Sequence, residues 1–395
     1  MPQLRALEGN LAVAEGARLS RIQVCAAYPI TPQTPIVEYI SEYVRQGMLN
    51  AKYIAVESEH SAISAVIGAS LVGARAFTAT AGAGLALMHE VTIVAAGNRL
   101  PIVMAIANRA MPSPWSLQVD HSDSMGERDQ GWVQLYAENA QEALDFTILG
   151  YRIGEDDRVR LPIMPCIDGF YVSHTTEVVN VPDQEQVDAF LPPYKPKHVY
   201  LDVNDPISVN NLTSPDVYTE IRQEHFRALQ NALSVIDDLG TKFGDCFGRY
   251  YGVVEGVALD DAETIFVTMG SITGTVRQAI RDMRAKGEHV GLLKVTAFRP
   301  FPKAKVRQIL ASAKRVLVID RSAGLGSEGP LALEVKGALY GLYPAPIVYG
   351  FIGGLGGRDF SLVTIARAYK KAMEMSAKGE INPRAIWIDS KEGEL

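Results

Sequence analysis

Cysteine is scarce in this sequence. Its 395 residues include three cysteines, Cys25, Cys166 and Cys246, which lie far apart and in no C-x-x-C pair. This number and spacing exclude a disulfide framework, and three thiolates are too few for a four-cysteine iron–sulfur cluster. Any such cluster must therefore lie on another chain.

Long apolar runs and basic clusters are also missing. No apolar stretch reaches the roughly 18 residues that a membrane-spanning helix needs, and the start, MPQLRALEGN, lacks the basic and apolar segments of a signal peptide. A net charge of −7 is unfavourable for binding nucleic acid. We therefore expect a cytoplasmic protein that binds neither nucleic acid nor membrane. The histidines show no metal-ligand spacing, so we predict no metal site on this chain.

Short apolar or β-branched runs alternate with helical patterns along about the first 170 residues. This alternation predicts βαβ units and a mainly parallel sheet covered on both faces, an α/β fold. A proline-rich connector with one long helical pattern occupies residues 182–255, and the alternation resumes at residue 263. We therefore predict two α/β domains, residues 1–245 and 246–395.

Polar residues and glycines follow four of the predicted strands, residues 22–28, 53–56, 76–80 and 101–107. Ligands of parallel sheets bind outside the carboxyl ends of the strands. We therefore expect the four following loops to meet at one edge and to form a binding crevice. The loops carry Thr31, Glu57 and Glu59, Gly82 and Gly84, and Arg109.

Each of these residues also has a purely structural interpretation. Thr31, held between Pro29 and Pro32, either stands at the rim of the crevice or caps the helix that follows. Arg109 either binds a carboxylate through its planar guanidinium or forms a structural salt bridge. Glu59 begins a helix, where any carboxylate is favoured by the helix dipole.

Two further motifs are interpreted as structural. Asp120-His121-Ser122-Asp123 is interpreted as a hydrogen-bond cluster that orders its loop rather than as part of a hydrolase, because Ser/His/Asp triads are assembled from distant segments. The segment 324–329 matches G-x-G-x-x-G between a strand and a helix, but no acid follows about 20 residues later. We interpret these glycines as a tight turn, with NAD binding as the alternative.

Several motifs in a fixed order resemble the alpha subunit of the 2-oxoacid:ferredoxin oxidoreductases of the pyruvate synthase type. They are AAYPITPQTPIVEYISE, VESEHSAISAVIGAS, FTATAGAGLALMHE, NRAMPSPWSLQVDHSDSM, VTMGS, RPFP and GLGGRD, spread over about residues 5–370. The resemblance implies a thiamine diphosphate-binding domain of the pyrimidine type, followed by a transketolase C-terminal-like α/β domain. In the second domain it implies packing and subunit contacts.

The resemblance implies that pyruvate is oxidatively decarboxylated to acetyl-CoA and carbon dioxide, with electrons passed to ferredoxin. The chain has no G-D-G motif followed by an asparagine at the spacing that holds magnesium and diphosphate. The implied partners are therefore a beta subunit that holds Mg and shares the thiamine diphosphate, and gamma- or delta-type subunits that carry 4Fe–4S clusters. Coenzyme A is implied if pyruvate is the substrate, and the expected assembly is a dimer of heteromers.

The resemblance also assigns roles to the residues at the crevice. Glu59 is implied to hydrogen-bond the aminopyrimidine ring of the cofactor as the catalytic carboxylate, with Gly82 and Gly84 as further cofactor-binding residues. Thr31 and Arg109 are implied to bind the carboxylate of the substrate.

One segment departs from the family pattern. Pyruvate-type relatives tend to have an apolar S-A-P-I-N-I-W between the arginine and the acidic group, whereas residues 111–119 read MPSPWSLQV. Ser116 and Gln118 would suit a substrate with a second carboxylate, so oxalate, used without coenzyme A, is an alternative substrate. A non-catalytic scaffold that docks electron-transfer subunits and a free-standing NAD dehydrogenase are alternatives from other classes.

Overall fold

The computed structural model describes residues 3–381 and 384–391. Its strands are β1 (Gln3–Glu8), β2 (Val24–Ala27), β3 (Lys52–Ala55), β4 (Ala76–Thr80), β5 (Val103–Asn108), β6 (Val133–Ala137), β7 (Ile163–Asp168), β8 (Thr176–Val181), β9 (Val254–Val257), β10 (Thr264–Thr268), β11 (Val290–Val295), β12 (Ala297–Arg299), β13 (Arg315–Asp320), β14 (Ile347–Ile352) and β15 (Ile386–Trp387). Its α-helices are α1 (Gly9–Leu19), α2 (Thr34–Arg45), α3 (Glu59–Leu71), α4 (Gly82–Gly97), α5 (Ser122–Gly126), α6 (Ala140–Gly154), α7 (Gln184–Phe190), α8 (Pro215–Phe247), α9 (Ile272–Arg284), α10 (Lys303–Leu310), α11 (Pro330–Leu339) and α12 (Leu362–Ala377).

The first large sheet has seven strands in the order β12-β6-β7-β5-β4-β2-β3. Six of them run parallel, and β12 pairs antiparallel with β6. The inner strands β4, β5, β6 and β7 are buried at every position, as expected for a parallel sheet covered by helices on both faces. The prediction of a mainly parallel α/β sheet is therefore confirmed.

The strand order also locates a crevice. From β2 the chain moves to β3 on one side and then crosses to β4 on the other side. The carboxyl ends of β2 and β4 therefore flank a topological switch point, where loops diverge and leave room for a ligand. The loops after β2 and β4 carry Thr31, Gly82 and Gly84.

The second large sheet has the order β15-β14-β13-β10-β11-β9, with β9 antiparallel to β11 and the other pairs parallel. The long helical pattern predicted in the connector is α8, which begins with a proline at its first position and ends before Gly248 in the left-handed conformation. Strand β12 comes from the later half of the chain but completes the first sheet. The proposed domain boundary at residues 245 and 246 stays a prediction.

A buried cluster of charges joins the two sheets. The Lys294 ammonium of β11 is 1% exposed and lies 3.0 Å from the Glu138 carboxylate, and it also pairs with Glu142 at the start of α6. Arg277 of α9 forms two hydrogen bonds to Glu138. Burial opposes the charge on Lys294, but the Glu142 and Glu138 carboxylates outweigh it and raise the pKa of Lys294. Removing the Lys294 ammonium would leave the Glu142 carboxylate buried without a counter-charge, while Glu138 would keep Arg277.

No helix of the described residues is long and apolar enough to cross a membrane.

We predict that Lys294→Met lowers the free energy of unfolding by about 3–5 kcal/mol, because the buried Glu142 carboxylate loses its counter-charge. Urea unfolding followed by circular dichroism measures this change. Lys314→Met is the matched control, since Lys314 pairs with Glu263 on the surface and the substitution should change stability little. Equal stability of the two variants would show that the buried cluster does not stabilise the fold.

Candidate active site

The four predicted loops do meet at one edge of the first sheet. The Arg109 guanidinium donates a hydrogen bond of 2.7 Å from Nη1 to the backbone oxygen of Thr31. A Cβ atom added at Gly82 would lie 2.3 Å from Nε of Arg109, and one added at Gly84 would lie 2.5 Å from Oε1 of Glu59. The structure therefore brings together Thr31, Glu59, Gly82, Gly84 and Arg109.

Glu59 is the first residue of α3 and is 6% exposed. The helix is capped by the Ser58 hydroxyl, which accepts a hydrogen bond from the Ser61 amide. Glu57, two residues earlier, is exposed and its carboxylate bonds to the Ser61 hydroxyl. No side chain of residues 3–381 or 384–391 hydrogen-bonds to Glu59. A favourable helix dipole acts on both acids, but Glu59 alone combines burial with a carboxylate left free for a ligand.

Thr31 does not cap the helix that follows it. Helix α2 begins at Thr34, its N-cap residue is Gln33, and no side chain caps it. Thr31 is instead exposed at the rim of the crevice, and its backbone oxygen accepts the Arg109 hydrogen bond. The capping interpretation of Thr31 is wrong, because the turn after β2 runs three residues further before the helix begins.

Arg109 is 4% exposed and forms no salt bridge with the residues that the structure describes. Its Nε atom is buried without a hydrogen-bond partner. Burial lowers the pKa of Arg109, and the negative charges of Asp123 and Glu59 oppose this shift. The salt-bridge interpretation is therefore not supported. The free donors of the guanidinium suit an anionic group bound in the crevice.

Asp123 fixes two of the loops. Its Oδ2 atom accepts hydrogen bonds from the amides of Gly82 (2.9 Å) and Arg109 (3.0 Å), and its Oδ1 atom accepts from the side chain of Asn108 (2.7 Å) and the amide of Ser124 (2.8 Å). Burial raises the pKa of Asp123 to about 6, although these hydrogen bonds oppose the shift. The prediction of a hydrogen-bond cluster is confirmed, with the difference that Ser122 and Asp123 start the short helix α5 rather than lying in a loop.

The same segment is anchored to the later half of the chain through Asp168, a residue that the sequence analysis did not single out. Its carboxylate lies 2.7 Å from Nε2 of His121 and accepts hydrogen bonds from Ser271 (2.6 Å) and Arg321 (2.8 Å). Burial opposes its negative charge, but His121 and Arg321 outweigh burial and keep the pKa of Asp168 below its usual value. Asp168 ends strand β7, so the rule that identified the other strand ends also pointed to it.

Among the described residues, no hydrogen bond joins the side chains of Ser116 and Gln118 to the other predicted site residues. Both lie in the segment between β5 and α5, where the Ala110 amide donates a hydrogen bond to the Gln118 backbone oxygen. A Cβ atom at Gly357 would lie 2.4 Å from Cβ of Gln118, and one at Gly356 would lie 3.5 Å from Oγ of Ser116. Both residues therefore rest against the glycine-rich turn that follows β14.

The segment 324–329 forms the turn that the sequence predicted, between β13 and α11. The first amides of α11 are already used, because Asp320 accepts hydrogen bonds from Leu331 (2.9 Å) and Ala332 (3.0 Å). Pro330 has no amide hydrogen to offer. The position where a dinucleotide pyrophosphate would bind is therefore filled by a carboxylate of the chain itself, which disfavours NAD binding.

Comparisons with known proteins show which family the chain belongs to. Residues 15–240 match the family model described as pyruvate flavodoxin/ferredoxin oxidoreductase, thiamine diphosphate-binding. Residues 262–365 match pyruvate:ferredoxin oxidoreductase core domain II. This chain belongs to the pyruvate flavodoxin/ferredoxin oxidoreductase family. The resemblance found in the sequence is thereby confirmed.

Three relatives cover nearly the whole chain. Pyruvate synthase subunit PorA of Pyrococcus abyssi is 46% identical over 98% of both chains. The PorA subunit of Methanocaldococcus jannaschii is 45% identical over 99% of both. Ketoisovalerate oxidoreductase subunit VorA of Pyrococcus abyssi is 45% identical over 99% of this chain and 98% of its own.

Solved structures confirm the fold. The 2-oxoglutarate:ferredoxin oxidoreductase from Magnetococcus marinus superposes with a TM-score of 0.72 at 22% identity, covering 94% of this chain and 65% of its own. A split gene transketolase, described as an inactive beta4 tetramer, superposes with a TM-score of 0.55 at 11% identity, covering 94% of this chain and 99% of its own. The predicted pairing of a thiamine diphosphate-binding domain with a transketolase-like domain is therefore confirmed.

The residues at the crevice fit the pyrimidine end of thiamine diphosphate. Glu59 offers a free buried carboxylate, and the absence of a side chain at Gly84 makes room for that carboxylate, since a Cβ there would lie 2.5 Å from Oε1 of Glu59. The Thr80 hydroxyl next to it is buried without a hydrogen-bond partner. A planar ring with polar edges bound against Glu59 would give its carboxylate a hydrogen-bond partner.

We predict that Gly84→Ala weakens thiamine diphosphate binding by about tenfold or more, because the added Cβ would displace the Glu59 carboxylate. Calorimetric titration of the purified complex measures the dissociation constant. Gly97→Ala, at the other end of α4, is the control, since no atom lies within 4 Å of a Cβ there. Wild-type affinity in the Gly84 variant would exclude this position for the ring.

Proposed function

We propose that this chain is the alpha subunit of a thiamine diphosphate-dependent 2-oxoacid:ferredoxin oxidoreductase that acts on pyruvate. The single observation that carries the proposal is that two buried charged groups lie in one strand-end crevice without a salt-bridge partner among the described residues. They are the Glu59 carboxylate and the Arg109 guanidinium. Family membership and the PorA relatives support the same assignment.

Glu59 would hold the cofactor. A carboxylate at this position hydrogen-bonds the aminopyrimidine ring and holds the proton that the ring must exchange. Thiamine diphosphate, when bound, supplies the electron sink for the charge that decarboxylation leaves behind. Burial of Glu59 keeps water from competing for this hydrogen bond.

Arg109 and Thr31 would bind the substrate. The bond from Nη1 to the Thr31 backbone oxygen fixes one end of the guanidinium, and Nη2, which bonds to no described residue, leaves a donor for the carboxylate of a 2-oxoacid. The Thr31 side chain lies at the rim of the same crevice. A fixed clamp of this kind orients the bond to be broken before the reaction begins.

The site also needs a partner chain. Helix α3 carries mostly apolar or small residues, yet Ser64 and Gly68 on one face and Val72 just after its end are exposed, and α4 exposes Ala86 and Leu87. Helices of this composition are normally buried. We infer that a beta subunit covers this face and holds the magnesium and the diphosphate, while further subunits carry the iron–sulfur clusters that deliver electrons to ferredoxin.

The names of the relatives give two different 2-oxoacid substrates. PorA and VorA relatives are equally similar to this chain although their names give different substrates, pyruvate and ketoisovalerate. Oxalate rests on Ser116 and Gln118 alone, and these residues contact the turn at Gly356 and Gly357. None of the relatives described here is named for oxalate or for a scaffold. We propose pyruvate, because it is the substrate that the sequence motifs imply and that the names of the PorA relatives give.

The complex purified with its partner chains tests the proposal by reduction of a viologen dye or of ferredoxin. Pyruvate, ketoisovalerate and oxalate are offered in turn, each with and without coenzyme A. Turnover of pyruvate that depends on coenzyme A supports the proposal. Turnover of oxalate without coenzyme A, or of ketoisovalerate alone, would replace the substrate, and no turnover of any 2-oxoacid would reject the function.

We predict that Glu59→Gln lowers kcat by about 100-fold or more while the complex still assembles, because the amide has the same shape but cannot exchange the proton. Steady-state kinetics and size-exclusion chromatography measure the two effects. Glu57→Gln in the same motif is the control, since Glu57 is exposed and bonds to Ser61. If the two variants turn over at the same rate, Glu59 has no role in catalysis.

A further inference from the structure

We propose that Asp123 is a positioning residue for the substrate carboxylate, because its carboxylate fixes the start of α4 to the end of β5 and thereby sets the place of the Arg109 guanidinium. This inference rests on the proposed function of Arg109. It adds to the site a residue that contacts neither substrate nor cofactor and acts through the main chain of two loops.

The hydrogen bonds of Asp123 cross between separate elements. One carboxylate oxygen, Oδ2, accepts from the amide of Gly82 and from the amide of Arg109, which belong to different strand-end loops. The other oxygen is held by Asn108 and Ser124. Asp123 is 3% exposed. Both oxygens are therefore saturated by donors, and the carboxylate sits as a fixed bridge between the two loops.

The distance between these loops decides where the guanidinium lies. Nε of Arg109 would be 2.3 Å from a Cβ at Gly82, so the arginine side chain lies directly on the backbone of this glycine. Gly82 has a φ of +49°, the left-handed region in which glycine is favoured. If the amides of Gly82 and Arg109 lost their common acceptor, the bond between Arg109 and the Thr31 oxygen would no longer hold the guanidinium in one place.

The Asp123 carboxylate also provides a negative charge for Arg109 without forming a salt bridge with the guanidinium. Asp123 accepts the hydrogen bond of the Arg109 backbone amide and forms no salt bridge with the guanidinium, so Nη2 bonds to no described residue. The Asp123 charge stabilises the buried cation from a short distance. A direct salt bridge would instead occupy the donors that a substrate carboxylate needs. The arrangement keeps Arg109 charged and available.

Glu127 is a buried carboxylate close to Asp123 in the sequence that has different hydrogen-bond partners. It is also 3% exposed, and it bonds to His89 (2.7 Å) and Thr92 (2.9 Å) further along α4. No hydrogen bond joins Glu127 to Gly82 or Arg109 in the described part of the chain. Its loss would cost stability without touching the site, which makes it a matched control.

The test compares Asp123→Ala, Asp123→Asn and Glu127→Ala in the complex purified with its partner chains. KM and kcat for pyruvate are measured, together with the dissociation constant of oxamate, a carboxylate analogue that is not turned over. Asp123→Ala should raise both KM and the oxamate dissociation constant by about tenfold, with a smaller change in kcat. Asp123→Asn, which keeps one acceptor oxygen, should raise them by about threefold.

A purely structural role would give a different pattern. It would lower the active fraction, and hence kcat, while KM and oxamate binding stayed at wild-type values. That result overturns the inference, as does an equal rise of KM in Glu127→Ala. If Asp123→Ala does not assemble, Asp123→Asn decides by the same criteria. A wild-type complex that turns over no 2-oxoacid rejects the proposed function instead, so the two failures are distinguishable.

Discussion

Parallel pairing of β5, β4, β2 and β3 is the constraint on which the rest of the candidate site depends. Parallel strands end at the same edge, so four loops that are far apart in the chain are forced together. The reversal of strand order at β2 opens the crevice between them. Because the backbone groups of the inner strands are paired, the polar groups needed for binding lie just beyond the strand ends, where Thr31, Glu59 and Arg109 are found.

Buried charge then holds the crevice in one shape. Asp123 joins the loops within the first sheet, and Asp168 joins the same segment to Ser271 and Arg321 from the later half of the chain. Buried ions are costly unless they are fully paired. A structure that retains several of them at one place has little freedom to rearrange there, which suits a site that must hold a carboxylate in a fixed orientation.

In the proposed function, a partner chain completes the site. In that function Glu59 and Arg109 would supply groups for a pyrimidine ring and for a substrate carboxylate, while the exposed small and apolar faces of α3 and α4 lie on the adjoining helices. The strand-end rule located Glu59 and Arg109 from the sequence because the alternation of apolar runs marks each strand end. It did not identify Asp168, which is the last residue of β7 itself. It left two interpretations of Thr31, a residue at the rim of the crevice or a helix cap. The length of the turn before α2 decides between them, because Gln33 is the N-cap residue.

The sequence by itself determined the order of strands and helices, the chemical groups at the strand ends and the family, because these follow from local patterns of residue types. Tertiary structure decided which groups meet. Arg321 and Asp168 are separated by 153 positions, and Arg109 and Thr31 by 78. Such pairs depend on how helices pack and on which donors remain after the backbone is satisfied, and no local pattern encodes that. Ser116 and Gln118 are a further example. They contact the glycine turn at Gly356 and Gly357 because the later half of the chain packs against their loop.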